Sequence, residues 1–112
     1  MTTYKQGDVL LVPFPFTDQS GTKQRPALVL SGAVYNQTHP DIIIAPITSQ
    51  VGYSADEVFL NDWQKAGLLK ASAVKPILAS LETTLVRRKL GEIPSSGLKP
   101  IRALFARIFE LV

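Results

Sequence analysis

Arg25 and Pro26 open the apolar run Ala27-Leu28-Val29-Leu30 directly after a polar loop, Ser20-Gly21-Thr22-Lys23. A guanidinium fixed at the start of such a run is a cation on a rigid frame. It presents two parallel N–H donors to a phosphate, whereas the same residue on a loose loop adds only charge. Taken alone, an Arg at a strand entrance reads as surface charge, so its neighbours decide its meaning. Thr48, Ser49 and Gln50 close a later apolar run with two hydroxyls and an amide, the content of a turn as much as of a binding groove. Phe14, Phe16 and Tyr53 sit in Pro- and Gly-punctuated segments, where aromatic faces stack on unpaired bases. Phe14 and Phe16 alternate, however, which equally buries one of them. His39, the single histidine, lies in the polar stretch Tyr35-Asn36-Gln37-Thr38-His39-Pro40 and reads as a solvated loop residue. Arg87-Arg88-Lys89 reads as solvated hairpin charge with a general attraction for a nucleic-acid backbone.

No cysteine is present and the carboxylates show no paired spacing, so no metal site is expected. A P-loop and a dinucleotide fingerprint are absent as well, and no cofactor is expected. The 112 residues suit one domain over 1–112, and 46% apolar against 19% charged residues is a globular balance with enough material for a core. A net charge of +3 tilts the chain toward an anionic partner and falls well short of a polycation. The first residues lack an apolar leader and no segment is long enough to span a bilayer, so a cytoplasmic location without membrane contact is expected.

The elements that must position these groups are short. Val9-Leu10-Leu11-Val12 and Ala27-Leu28-Val29-Leu30 are strand-like runs bounded by Pro and Gly. Asp41 to Ile47 is a third; its Ile42-Ile43-Ile44 is apolar on both faces and belongs in the middle of a sheet. Glu57 to Leu60 and Ser72 to Leu78 follow, with a helical turn from Asn61 to Lys65 between them, ended by Gly67. One or two more strands fall around Val86 and Leu90. This spacing predicts a mainly β fold, a small antiparallel barrel. From Leu98 the period changes: Leu98, Ile101, Leu104, Phe105, Ile108 and Phe109 line one face of an amphipathic helix, with Pro100 in its first turn.

Three blocks carry a resemblance: Gly7-Asp8-Val9-Leu10, then Pro13-Phe14-Pro15-Phe16-Thr17-Asp18, then Lys23 to Ser31. Together they resemble the signature of the MazF/PemK toxins of bacterial type II toxin–antitoxin systems. Pro46-Ile47-Thr48-Ser49-Gln50, Ser72-Ala73-Val74-Lys75-Pro76 and Leu90-Gly91-Glu92-Ile93 extend the likeness in order over nearly the whole chain. The resemblance implies an SH3-like barrel with short helices, as in MazF, PemK and CcdB. It also implies a homodimer, and a metal-independent endoribonuclease that cuts single-stranded RNA at short sequences, the ribose 2′-OH attacking phosphorus to leave a 2′,3′-cyclic phosphate and a 5′-OH. A cognate antitoxin is implied too, an acidic and partly disordered segment covering the RNA groove, with DNA reached only through that partner.

By the same resemblance Arg25 and Thr48 match the family's catalytic positions. Arg25 suits the stabilisation of a phosphorane, since a guanidinium, which keeps its proton in proteins, is a poor base. Ser31, Ser49 and Gln50 are expected to line the groove, and Phe14, Phe16, Lys23 and Tyr53 to contact RNA. Some relatives carry an acidic residue and a His where this chain has Ser20 and Gln24, and Asp-Gln where it has Ser72-Ala73, so the proton-transfer groups are not assigned by the likeness. A CcdB-like toxin that binds gyrase without cutting RNA, and an SH3-like interaction module, are alternatives on the same fold.

Overall fold

From Ile42 to Ile47 the chain is apolar without a break, and this stretch becomes the centre of the structure. The computed structural model describes residues 3–13, 23–52 and 55–111. In chain order they form β1 (Asp8–Pro13), β2 (Gln24–Val29), α1 (Ala33–Thr38), β3 (Asp41–Thr48), β4 (Val58–Phe59), β5 (Ala73–Val74), β6 (Ala79–Glu82), a 3-10 turn (Thr83–Leu85), β7 (Arg88–Glu92) and α2 (Ser95–Ile108). The strands line up as β4-β5-β3-β2-β1-β7, all pairs antiparallel. Away from β2, β3 pairs with β6 over Asp41 to Ile44 and with β5 over Ile47 and Thr48, so one long strand serves three neighbours.

Among the described residues nothing pairs β7 with β4 or β6. The sheet is therefore open, mainly antiparallel and accompanied by two helices, where a closed barrel was expected. β4 and β5 are two residues each, too short to carry the sheet round, and the outer edge at β7 bears Arg88, Lys89 and Glu92, charges that blunt an open edge.

Alternation along the strands sorts the core into two layers. On one face Val9, Leu28, Ala45, Ile47 and Val74 pack with Leu98 and Ile101 of α2 and with Leu60, Ala66 and Leu68. On the other, Leu10, Val12, Ala27, Val29, Ile42, Ile44 and Leu81 pack with the half-buried Tyr4, Ala79 and Val86. Each large aliphatic so buried is worth about 1.5–3 kcal/mol. The predicted stripe on α2 holds over its first part, with Leu98, Ile101 and Leu104 buried and Phe105 half-buried, whereas Ile108 and Phe109 at its end are exposed.

The helix nonetheless begins earlier than its apolar period indicates. The Pro94 carbonyl accepts the Gly97 and Leu98 N–H groups at 2.9 and 3.2 Å, which puts Pro100 inside the helix and not in its first turn. Ser95 and Ser96 are exposed and gave no apolar signal. α1 replaces what reads as a polar loop. Its anchor is tertiary: Asn36 is buried and donates to the carbonyls of Tyr4 (2.8 Å) and Ser31 (3.0 Å).

The turn after β4 behaves as expected, with the Ala66 N–H bonded to the Asp62 carbonyl at 3.0 Å and Gly67 at φ +79°. A Cβ on Gly67 would lie 2.0 Å from the Leu90 carbonyl oxygen, and one on Gly91 2.5 Å from the Ala66 carbonyl carbon. The turn and β7 thus meet backbone to backbone.

Candidate nucleic-acid interface

Arg25 is the second residue of β2 and stands opposite Val12 of β1. Between β2 and β3 the register is Val29 opposite Ile44, Leu28 opposite Ala45 and Ala27 opposite Pro46. Continued by two residues, the same register sets Arg25 against Thr48. Opposed residues of an antiparallel pair share a face, with Cβ atoms about 4.5–5.5 Å apart. The face is that of Ala27, Val12 and Ile44, and the pair sits at its end, where β2 and β3 meet their loops. Pro26 has no N–H to donate, and the assigned ladder stops there.

Arg25 is half-buried, and its Nε is fully buried without a hydrogen-bond partner among the described residues. Such a buried donor is rare in a folded protein. Thr48 is also half-buried. Its Oγ1 accepts the Gln50 N–H at 3.0 Å, so the hydroxyl shapes the turn and keeps its own proton to donate. Ser49 and Gln50 are exposed on that turn, which the Glu57 carboxylate ties down by accepting the Gly52 N–H. Lys23 is exposed just before β2. These groups come together at one end of the sheet. Phe14, Phe16 and Tyr53 lie outside the described residues.

Ser31 does not join them. It lies six residues beyond Arg25, about 20 Å at strand rise, past the other end of β2. It is buried, its hydroxyl donating to Asn36 Oδ1 and accepting the Ile43 N–H at 3.0 Å, so the expected groove hydroxyl is a bracket for α1. His39 is equally remote, before the start of β3 while Thr48 ends it. Its ring stacks on Tyr35 with centroids 3.8 Å apart, and Nδ1 lies 2.9 Å from the Tyr35 carbonyl oxygen.

One cation was not singled out from sequence. Lys75 follows β5 directly, and its N–H donates to the Pro46 carbonyl at 3.0 Å, beside the Thr48–Ala73 pair. Two paired acids lie at the far end of β1: Asp8 is held by Lys5 and Lys89 at 3.2 and 3.1 Å, and Glu92 by the same lysines at 2.7 and 2.8 Å; a third, Asp56, pairs with Arg107 at 3.0 Å. No ion pair involves Lys23, Arg25, Lys75, Arg87 or Arg88 among the described residues. By strand alternation Arg25, Thr48 and Lys75 belong to one face, with no carboxylate paired to either cation among the described residues, an arrangement suited to an anion. No group of three or more His, Asp and Glu side chains poised for a metal occurs among the described residues. No described helix is long and apolar enough to cross a membrane.

The family described as the PemK-like, MazF-like toxin of type II toxin–antitoxin systems matches residues 5–109. The chain belongs to this family. Its fold is similar to that of MazF from Deinococcus radiodurans, with 28% identity, a TM-score of 0.77, and 98% of this chain and 99% of that one covered. It is also similar to a MazE-MazF structure from Deinococcus radiodurans, with 26% identity, a TM-score of 0.79 and coverage of 97% and 98%. An endoribonuclease in complex with its cognate antitoxin, from a mycobacterial species, shares the fold at 17% identity and a TM-score of 0.79 over 98% and 96% of the two chains. No curated protein matches the chain.

Proposed function

We propose that residues 1–112 act as a single toxin domain, a cytoplasmic, metal-independent endoribonuclease that cleaves single-stranded RNA at a short sequence. The observation that supports this reading is the β2–β3 register, which ends with Ala27 opposite Pro46 and, continued by two residues, would set Arg25 on the same face as Thr48. In the reaction the ribose 2′-OH loses its proton and its oxygen attacks the adjacent phosphorus. The P–O5′ bond then breaks and the leaving oxygen takes up a proton, giving a 2′,3′-cyclic phosphate and a 5′-OH. Charge builds on the non-bridging oxygens as the phosphorane forms. Arg25 meets it with its fork of donors, and the Thr48 hydroxyl donates a hydrogen bond to one of those oxygens.

Lys23, Ser49 and Gln50 border this point and contact the strand, and Phe14, Phe16 and Tyr53 are given the same role by the motif. Ser31 is left out, because its hydroxyl is already engaged. His39 is left out by position.

Two partners belong to the reading. The exposed Leu78, Phe109 and Leu111 line an apolar groove of about 400 Å³ along α2, and this surplus of apolar surface supports a two-fold dimer. Family membership and the MazE-bound relatives support a cognate antitoxin that wraps the basic surface.

Incubation of the purified protein with mixed-sequence RNA in EDTA, with the product ends mapped, tests the activity. Discrete cuts ending in 2′,3′-cyclic phosphate are expected. Intact RNA would exclude the nuclease and leave a gyrase-binding toxin or an SH3-like interaction module.

A further inference from the structure

Lys75 extends the β3–β5 ladder by one step. Ile47 stands opposite Val74 and Thr48 opposite Ala73, and the bond from the Lys75 N–H to the Pro46 carbonyl sets these two residues against each other. Alternation fixes the face: Val74 is buried in the layer under α2, so Ala73 and Lys75 belong to the opposite face, that of Pro46, Thr48 and Arg25. Lys75 is half-buried and forms no ion pair among the described residues. A cation on this face with no carboxylate paired to it is available to an anion.

Two strand spacings sideways and two residues along the strand separate the Cα positions of Lys75 and Arg25 by about 12 Å. Side chains stand roughly perpendicular to a sheet, so the two cations run side by side and do not converge on one phosphoryl group. They suit successive phosphates of one strand. We infer that Lys75 is an RNA-binding residue that holds a phosphate next to the scissile one and so fixes where the strand lies over Arg25 and Thr48. The contact carries no base information; it sets register. This rests on the ribonuclease reading above.

The test starts from one cleavage site mapped with the wild-type protein. A short RNA spanning it is made as a series, each member carrying one neutral methylphosphonate linkage beside the scissile one. With wild type, neutralising one particular neighbour should raise KM about tenfold, the loss of one charge-assisted contact, with kcat little changed. Lys75→Gln, which keeps most of the stem, should raise KM by a similar factor on unmodified RNA and be indifferent to that same linkage. Lys75→Arg should restore binding. The slope of log affinity against log salt for an uncleavable 2′-deoxy analogue should fall by about 0.7 in Lys75→Gln, the share of one single-strand phosphate. Folding is checked by circular dichroism, and the wild-type linkage series needs no variant at all. Wild-type KM and salt slope in Lys75→Gln, or full additivity of the substitution with every neutral linkage, would overturn the inference and leave the ribonuclease standing. Wild-type protein that makes no cut removes both.

Discussion

The Thr48 hydroxyl oxygen accepts the Gln50 N–H at 3.0 Å, which locks the turn after β3 and leaves one hydroxyl proton to donate outward. Two substitutions test whether the hydroxyl is needed. Thr48→Ser keeps both roles and should cleave within a few-fold of wild type. Thr48→Val keeps the side-chain shape but loses both the donor and the acceptor of the Gln50 N–H, so the chemical step should fall about 10²-fold or more, the scale of one lost donor to a developing oxyanion. Single-turnover cleavage of a short RNA reads the difference. Equal rates in the two variants would leave the Thr48 hydroxyl without a part in the chemistry.

Asp8 explains why an acid opens β1. Only 2% exposed, its carboxylate accepts the Lys5 N–H at 3.0 Å and faces the Lys5 and Lys89 ammonium groups. Asp8→Ala strands that backbone donor and should cost about 1–3 kcal/mol in urea denaturation. The lysines are solvated and recover their hydration, which keeps the loss at this level. Well below the melting temperature cleavage should be unchanged, since Asp8 lies at the opposite end of β1 from Arg25.

Glu92 gives the fold an acid limb. Hydrogen bonds from Lys5, then from Lys89, hold its carboxyl down to about 2 from the usual 4.5. A depressed folded value means that the contribution is complete above about 4.5 and is lost as the pH falls toward 2. Glu92→Gln should therefore lose less melting temperature than wild type over that window, and 1 M salt should narrow the gap because the group is exposed. Parallel melting curves for the two proteins would show that the network contributes nothing.

Sequence made β1, β2 and the central place of β3 legible, because Ile42 to Ile47 is apolar on both faces and the other two runs are fenced by Pro and Gly; it missed β6, drew β5 too long, and put a strand at Val86 where a 3-10 turn ends. It made Arg25 and Thr48 legible only as motif positions; their sharing a face depends on register, which a single strand cannot reveal. Lys75 was hidden for the same reason, since only its pairing with Pro46 shows which way it faces. α1 was invisible because its helix hangs on one buried amide, Asn36, and not on periodicity or a side-chain cap. Ser31 misled because a Ser after a strand looks the same whether its hydroxyl meets a ligand or, as here, the Ile43 N–H. The barrel was overdrawn because strand count does not fix closure.

The most direct test of the account is single-turnover RNA cleavage in EDTA by Arg25→Ala beside wild type, with circular dichroism to confirm folding. Arg25 stands at the loop end of β2, and the variant should fold while its chemical step falls on the order of 10²–10³-fold or more. Arg25→Lys should recover little, since an ammonium cannot re-form a bidentate contact. The double variant with Thr48→Ala should be worse by less than the product of the single effects if the two residues act on one phosphoryl group. Near-wild-type turnover by folded Arg25→Ala would contradict the account.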